Sequence, residues 1–168
     1  MKSLSFSTLF PSLSIFALAL TIGLSSTEHA HAQSIDDITL NVYKEETCGC
    51  CVGWIAHMDE RGFDSTVFHP TDIYTVKDEL GVLPKWQSCH TAVSKEGYLF
   101  EGHIPAKYIS QFLASPPANA LGLAVPGMPM GSPGMEIGNR FTSYDVILMK
   151  KDGTSEVYAT IKTQTEQY

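Results

Sequence analysis

The stretch Thr47-Cys-Gly-Cys-Cys51 places three cysteines, Cys48, Cys50 and Cys51, within four positions. Their sulfurs could form a disulfide, act as a redox pair or bind a metal ion. Cys48 and Cys51 have the C-x-x-C spacing of thioredoxin-type redox enzymes, which keeps a redox function open. The third cysteine counts against it, because an extra thiolate gives a dithiol enzyme mispairing routes but strengthens the binding of soft cations such as Cu(I) or Zn(II). The spacing favours a metal site, with a thiol-disulfide or copper-dependent oxidoreductase as the alternative.

A second group of metal-ligand types occurs in Ser88-Cys-His-Thr91, just before a predicted strand. In a thioredoxin-like arrangement this connection lies against the start of the first helix. Cys89 would then supply a fourth sulfur to the cluster, and His90 an imidazole nitrogen. His103 precedes another predicted helix and is a further candidate ligand. His57, further along the first helix, could support a ligand, but we expect it rather to be a solvated helix residue.

Three methionines, Met128, Met130 and Met135, lie in a segment rich in glycine and proline that has almost no other large side chains. A single methionine usually fills a gap in a core. Three thioethers on such a segment are harder to explain by packing. Thioether sulfur is a poor ligand for Zn(II) and a good one for Cu(I). If the segment folds over the cysteines, it favours copper, with zinc still possible.

The elements that must position these residues begin with a predicted strand at Ile38–Lys44, where β-branched residues alternate with others. Further strands are predicted at residues 65–68, 91–94 and 98–101. Helices are predicted at residues 50–61, 73–80 and 105–113. In the first helix, Val52, Ile55, Ala56 and Met58 form the expected apolar face. The order βαβαββα is that of a thioredoxin-like domain of the α/β class.

The remainder of the chain is predicted to contain a long loop and a hairpin. Prolines and glycines in residues 115–138 indicate a loop rather than a helix or strand. Strands at residues 144–150 and 156–161 flank Lys151-Asp-Gly153, which is a strong hairpin signal.

The N-terminal residues resemble a cleaved export signal. Lys2 precedes an apolar run at residues 15–24, and Ala30-His-Ala32 is typical of a signal-peptidase site. Residues 1–32 are therefore predicted to be removed, leaving residues 33–168 as a single domain. The run is too short for a membrane-spanning helix and no second run follows, so no stable membrane insertion is expected. The net charge of −7 disfavours nucleic acid as a partner.

Several motifs occur together and in order: Thr47-Cys-Gly-Cys-Cys51, Ser88-Cys-His-Thr-Ala92, Glu101-Gly-His103, the methionine-rich segment at residues 122–136 and Tyr144-Asp-Val146. On these motifs the chain resembles the CopG-like periplasmic metal-binding proteins, a domain-of-unknown-function family linked to bacterial copper resistance. The resemblance spans about residues 38–161. It implies a thioredoxin-like fold, a periplasmic location and copper binding by the four cysteines. Other periplasmic copper-handling proteins are then candidate partners.

Overall fold

The structure is a computed structural model that describes residues 38–168, so the predicted signal segment at residues 1–32 lies outside the described residues. Within the described part, a seven-stranded mixed sheet is accompanied by three α-helices, which confirms the α/β class. The strands are β1 (Ile38–Lys44), β2 (Phe63–Phe68), β3 (His90–Ser94), β4 (Leu99–Glu101), β5 (Ala120–Ala124), β6 (Tyr144–Lys150) and β7 (Ser155–Ile161). The helices are α1 (Gly49–Asp59), α2 (Ile73–Glu79) and α3 (Ala106–Ala114). Short 3-10 turns occupy Pro84–Trp86 and Gln164–Gln167.

The strands lie in the order β2-β1-β3-β4-β5-β6-β7. β1 is parallel to β2 and β4 is parallel to β5, whereas the other neighbouring pairs are antiparallel. None of the helices in residues 38–168 combines the length and apolarity needed to cross a membrane. The elements up to α3 follow the predicted order, and β6 and β7 form the predicted hairpin.

The central strands of the sheet are covered on both faces. On one face, Ala92 and Phe100 pack in the main core with Trp54 of α1 and Phe112 of α3. On the other, Leu99 of β4 packs in a second cluster that includes Val82, Trp86, Ala124 and Met149. The alternation of side chains along β4 therefore fixes which residues face α1 and α3 and which face the opposite side.

The apolar face predicted for α1 was right only in part, because Met58 is buried and Ile55 packs against the core, whereas Val52 and Ala56 are exposed. Val52 is 57% exposed, and the buried residues of the helix are Cys51, Trp54, His57 and Met58. The helix is apolar almost all round, so periodicity alone could not identify its buried side. The close approach of another segment at Gly53 is what orients it, since an added Cβ there would lie 2.9 Å from Gly134 Cα.

The prediction that residues 115–138 contain no strand was also wrong, because β5 lies within them. β5 pairs with β4 on one side and β6 on the other, and most of its residues are buried. A short apolar run of this kind is typical of a strand covered on both faces. Gly122 adds a second constraint, since a Cβ there would lie 1.8 Å from Leu99 O. The flanking prolines concealed a strand whose glycine is required by close packing.

His57 is buried rather than solvated. Its Nε2 accepts a hydrogen bond from the Ala106 N–H at 3.1 Å, so this side chain caps the first turn of α3. Burial, together with the Arg61 guanidinium, lowers the pKa of His57 from 6.5 to about 4. The folded protein therefore favours the neutral imidazole, whose Nε2 lone pair the cap requires.

This cap predicts acid sensitivity of the metal-free protein. Because the folded-state pKa of His57 is lowered, its contribution to stability is present above pH 6.5 and is lost as the pH falls towards 4. The variant His57→Gln keeps an acceptor for Ala106 and cannot titrate. Chemical denaturation at several pH values measures how the free energy of unfolding depends on pH. The slope should be smaller for the variant than for wild type. The difference should stay below about 1.4 kcal/mol per pH unit, the limit for one titrating group. Identical slopes would contradict the role of His57.

Candidate metal centre

Cys48, Cys50 and Cys51 lie at the N-terminal end of α1. After β1, a turn closed by the Cys48 N–H donating to the Glu45 carbonyl at 3.1 Å leads into the helix. Cys48 occupies the N-cap position and forms a disulfide with Cys51, with a Cα–Cα distance of 5.5 Å. Cys50 is a free thiol whose Sγ lies 3.5 Å from Cys48 Sγ. The C-x-x-C pair is therefore oxidised, and the third cysteine lies beside it.

Cys89 reaches this cluster from the start of β3. Because β3 runs antiparallel to β1, His90 lies opposite Lys44, the last residue of β1. Cys89, the residue before His90, is thereby brought next to the turn that carries the other cysteines. The Sγ atoms of Cys48, Cys50, Cys51 and Cys89 all lie within 4.8 Å of one another. After reduction of the disulfide, this volume would hold four potential thiolate ligands.

A buried polar network holds the backbone before Cys89. Glu101 of β4 is fully buried, and its Oε1 accepts the Ser88 N–H at 2.6 Å and Lys77 Nζ of α2 at 2.5 Å. Its Oε2 accepts the Thr91 hydroxyl at 2.5 Å. Burial raises the pKa of Glu101, and the Lys77 ammonium opposes that rise. The network ties α2 and β4 to the residues on either side of Cys89 and His90.

His103 lies directly beside Cys89, with its Nε2 2.9 Å from Cys89 Sγ. Its Nδ1 lies 2.8 Å from the Pro133 carbonyl oxygen. Since a carbonyl oxygen can only accept, Nδ1 carries the proton and Nε2 presents its lone pair towards the sulfur. A second contact that fixes the tautomer in this way is a recurrent feature of histidine ligands to metals.

His90 is fully buried and approaches the same sulfur from another side. Its Nδ1 lies 3.5 Å from Cys89 Sγ, and its ring packs against that of Trp54 at an interplanar angle of 42°, with the centroids 4.3 Å apart. Its Nε2 has no hydrogen-bond partner among the described residues. An orphaned buried imidazole nitrogen is unusual in a native structure and calls for a ligand, a proton acceptor or a water molecule. Cys89, His90 and His103 form a second group of potential ligand atoms within 4.8 Å.

The electrostatics of this group favour protonated sulfur and neutral imidazoles when no cation is present. Burial, with a smaller contribution from Cys50, raises the pKa of the Cys89 thiol to about 12. Burial also lowers the pKa of His103 and holds that of His90 well below its usual value. Cys89 lies on β3's side of the cluster rather than on α1, in a desolvated position that disfavours its thiolate. A cation that displaces the Cys89 proton would supply the missing positive charge.

The methionine-rich segment does fold against the cysteine cluster. An added Cβ at Gly134 would lie 2.4 Å from Cys50 O and Trp54 N, which shows how closely this segment packs on α1. Met128 is 57% exposed and lines an open pocket of about 380 Å³ together with Cys48 and Cys89. Met130 is 39% exposed and Met135 is half-buried, and neither lines that pocket. Of the three methionines, Met128 is thus the one that shares this pocket with two of the cysteines.

Several residues that shape the site were not identified as important from the sequence. Lys77 and Glu101 have no local pattern that marks them as a buried pair, because they lie on different elements. The Pro133 carbonyl carries no side-chain signal at all. Glu101 does lie in the Glu101-Gly-His103 motif, two residues before a candidate ligand, and this spacing was the one available indication.

Comparisons with known proteins agree on one group. A family model described as "Protein of unknown function, DUF411" matches residues 86–135. Two solved structures described as copper resistance protein CopG are also similar to the chain. Form 2 is 40% identical, covers 74% of this chain and 98% of its own, and has a TM-score of 0.70. Form 1 is 41% identical, covers 73% and 96%, and has a TM-score of 0.69. No curated protein matches the sequence.

Proposed function

Since this chain belongs to the family of the copper resistance protein CopG, we propose that it binds copper through its cysteine cluster and protects the cell from the ion. The observation that carries this proposal is the convergence of four cysteine sulfurs within 4.8 Å, with Cys89 shared by a second group that contains His90 and His103. Such a set of soft donors suits Cu(I) better than hard cations.

We propose Cu(I) as the bound oxidation state, because thiolate and thioether ligands select it over Cu(II). Cys48, Cys50, Cys51 and Cys89 would be the primary ligands, with His90 or His103 completing the coordination. Met128 is the methionine whose position favours a contribution. Zinc also binds thiolates and imidazoles, so it is the competing metal. Binding at Cys89 would release a proton, given the raised pKa of this thiol.

The thioredoxin-like fold is part of the same proposal. Its support is the sheet order β2-β1-β3-β4 with β1 and β2 parallel, followed by α3. A periplasmic location is also proposed. It rests on the export signal that the sequence predicts in residues 1–32 and on the implication of the family resemblance. Other periplasmic copper-handling proteins would then supply or receive the ion.

The test of copper binding is a comparison of reduced and oxidised protein. Residues 33–168 are loaded anaerobically with Cu(I), with and without prior reduction, and copper and free thiols are counted. We expect the reduced form to bind more copper and to protect its thiols, because the Cys48–Cys51 disulfide removes two of the four sulfur ligands. Equal copper content in both forms would contradict ligation by this pair. Zinc loaded in parallel shows whether the site discriminates.

The Cys48–Cys51 disulfide favours a second candidate function, a thiol-disulfide or copper-dependent oxidoreductase. Its position at the start of α1 is suited to thiol exchange, since backbone N–H groups there stabilise a thiolate. This function predicts disulfide turnover by metal-free protein that is lost in Cys48→Ser. Copper binding without such turnover would favour sequestration.

A further inference from the structure

Gln167 is a fully buried polar residue close to the last described residue, and all its polar atoms are engaged. Its Oε1 accepts the Tyr144 hydroxyl at 2.5 Å. Its Nε2 donates to the Gly131 carbonyl at 2.8 Å and to the Gln164 carbonyl at 3.2 Å. A buried amide satisfied on both sides fixes the relative position of the groups that it joins, because losing either contact leaves an unpaired polar atom.

Gly131 belongs to a compact turn, the 129–135 loop, which is closed by its own backbone. The Gly131 N–H donates to the Met135 carbonyl at 3.0 Å, and the Met135 N–H donates to the Ser132 carbonyl at 2.7 Å. Ser132 in turn donates its hydroxyl to the Pro129 carbonyl at 2.7 Å. These hydrogen bonds make the loop a compact unit, and the hydrogen bond from Gln167 attaches a side chain to it at Gly131.

The same loop contacts the candidate metal centre at two points. The Pro133 carbonyl accepts the His103 Nδ1–H, and Gly134 packs on the backbone of Cys50 and Trp54. A shift of the loop away from α1 would release the Pro133 contact. His103 could then place its proton on Nε2, the nitrogen that faces Cys89 Sγ at 2.9 Å.

We infer that Gln167 is a positioning residue for the metal centre: through Gly131 it holds the 129–135 loop so that Pro133 fixes the tautomer in which His103 Nε2 is free to bind a metal ion. This inference rests on the proposed copper-binding function and adds to it a residue far from the cysteines in sequence. It also explains why a polar side chain is fully buried beside a loop of glycine and proline.

The experiment uses the variant Gln167→Met, which keeps the length of the side chain and removes both polar atoms. In reduced, metal-free, 15N-labelled protein, long-range proton–nitrogen spectra report which ring nitrogen of His103 is protonated. Wild type is expected to show Nδ1 protonated, and the variant a mixture of both tautomers. Cu(I) affinity, measured by competition with a chelator, is expected to fall about 10-fold to 100-fold, as for other contacts that orient a ligand.

The matched control is Gln164→Met in the same 3-10 turn, since the backbone carbonyl of Gln164, and not its side chain, contacts Gln167. The Gln164→Met variant should have the same His103 tautomer and the same Cu(I) affinity as wild type. A folded Gln167→Met protein with an unchanged tautomer and unchanged affinity would overturn the inference. Wild type that binds no copper would instead refute the proposed function, while the tautomer measurement on metal-free protein would still test the link from Gln167 to His103.

If Gln167→Met does not fold, Gln167→Asn tests the same link with a smaller change. It keeps a buried amide but shortens the side chain by one methylene, so that the amide cannot reach both the Tyr144 hydroxyl and the Gly131 carbonyl. We expect a smaller change of the His103 tautomer and of the Cu(I) affinity in the same direction. An unchanged tautomer together with unchanged affinity in this variant would overturn the inference.

Discussion

Replacing Cys89 by serine is expected to lower the Cu(I) affinity of the reduced protein by more than about 100-fold, because even contacts that only orient a ligand cost 10-fold to 100-fold. Cys89 is the sulfur common to both groups of potential ligands, one with the other cysteines and one with His90 and His103. A serine hydroxyl is a hard, protonated donor that cannot bridge these groups. The affinity is measured by competition with a Cu(I) chelator under anaerobic conditions.

The comparison variant for this prediction is Met128→Leu. Met128 lines the same pocket, but it is 57% exposed and its thioether is a weaker ligand than a thiolate. Its loss should change the affinity by less than about 10-fold. If Cys89→Ser binds copper as tightly as wild type while remaining folded, the shared-sulfur arrangement is wrong.

The second large effect concerns the buried ion pair. Lys77→Met is expected to lower the free energy of unfolding by about 3–5 kcal/mol, because the Glu101 carboxylate would remain buried without its counter-charge. Both side chains are fully buried and their charged atoms are 2.5 Å apart. Burial already raises the pKa of Glu101, so part of the cost would appear as proton uptake by this carboxyl group.

Glu156→Gln is the matched control, since it breaks an exposed pair with Lys150 at 2.8 Å. Exposed pairs contribute about 0–1 kcal/mol to stability, so the free energy of unfolding of this variant should be close to that of wild type. Denaturation of both variants at neutral pH measures the difference. A cost below about 1 kcal/mol for Lys77→Met would show that the pair does not stabilise the residues beside Cys89.

The sequence predicted the elements that carry the cysteines because their signals are local. Alternation defined β1, and glycines with positive φ follow α1 and α2 at Gly62 and Gly81. β5 was missed because its signal is a short apolar run, and the prolines on either side of it resemble a loop. The buried side of α1 was predicted only in part for a related reason, since the contact between Gly53 and Gly134 depends on two segments distant in sequence.

The candidate site likewise contains residues that the sequence could identify and residues that it could not. Cysteine spacing, the Cys89-His90 pair and His103 could be selected by residue type, and the structure brings these residues together. Which of the three methionines lines a pocket with Cys48 and Cys89 could not be selected, because that depends on the path of the loop over α1. The groups that orient the ligands, such as the Pro133 carbonyl and the Gln167 amide, act through backbone atoms or across distant segments. Such contacts cannot be predicted from composition or residue spacing.

X-ray absorption at the copper edge, on reduced residues 33–168 loaded with Cu(I), is the most direct test of the central claim. The account predicts an edge typical of Cu(I) and a first coordination shell dominated by sulfur, with a smaller nitrogen contribution that is lost in His103→Ala. A shell made only of nitrogen and oxygen would contradict it, since the four cysteine sulfurs would then not bind the ion.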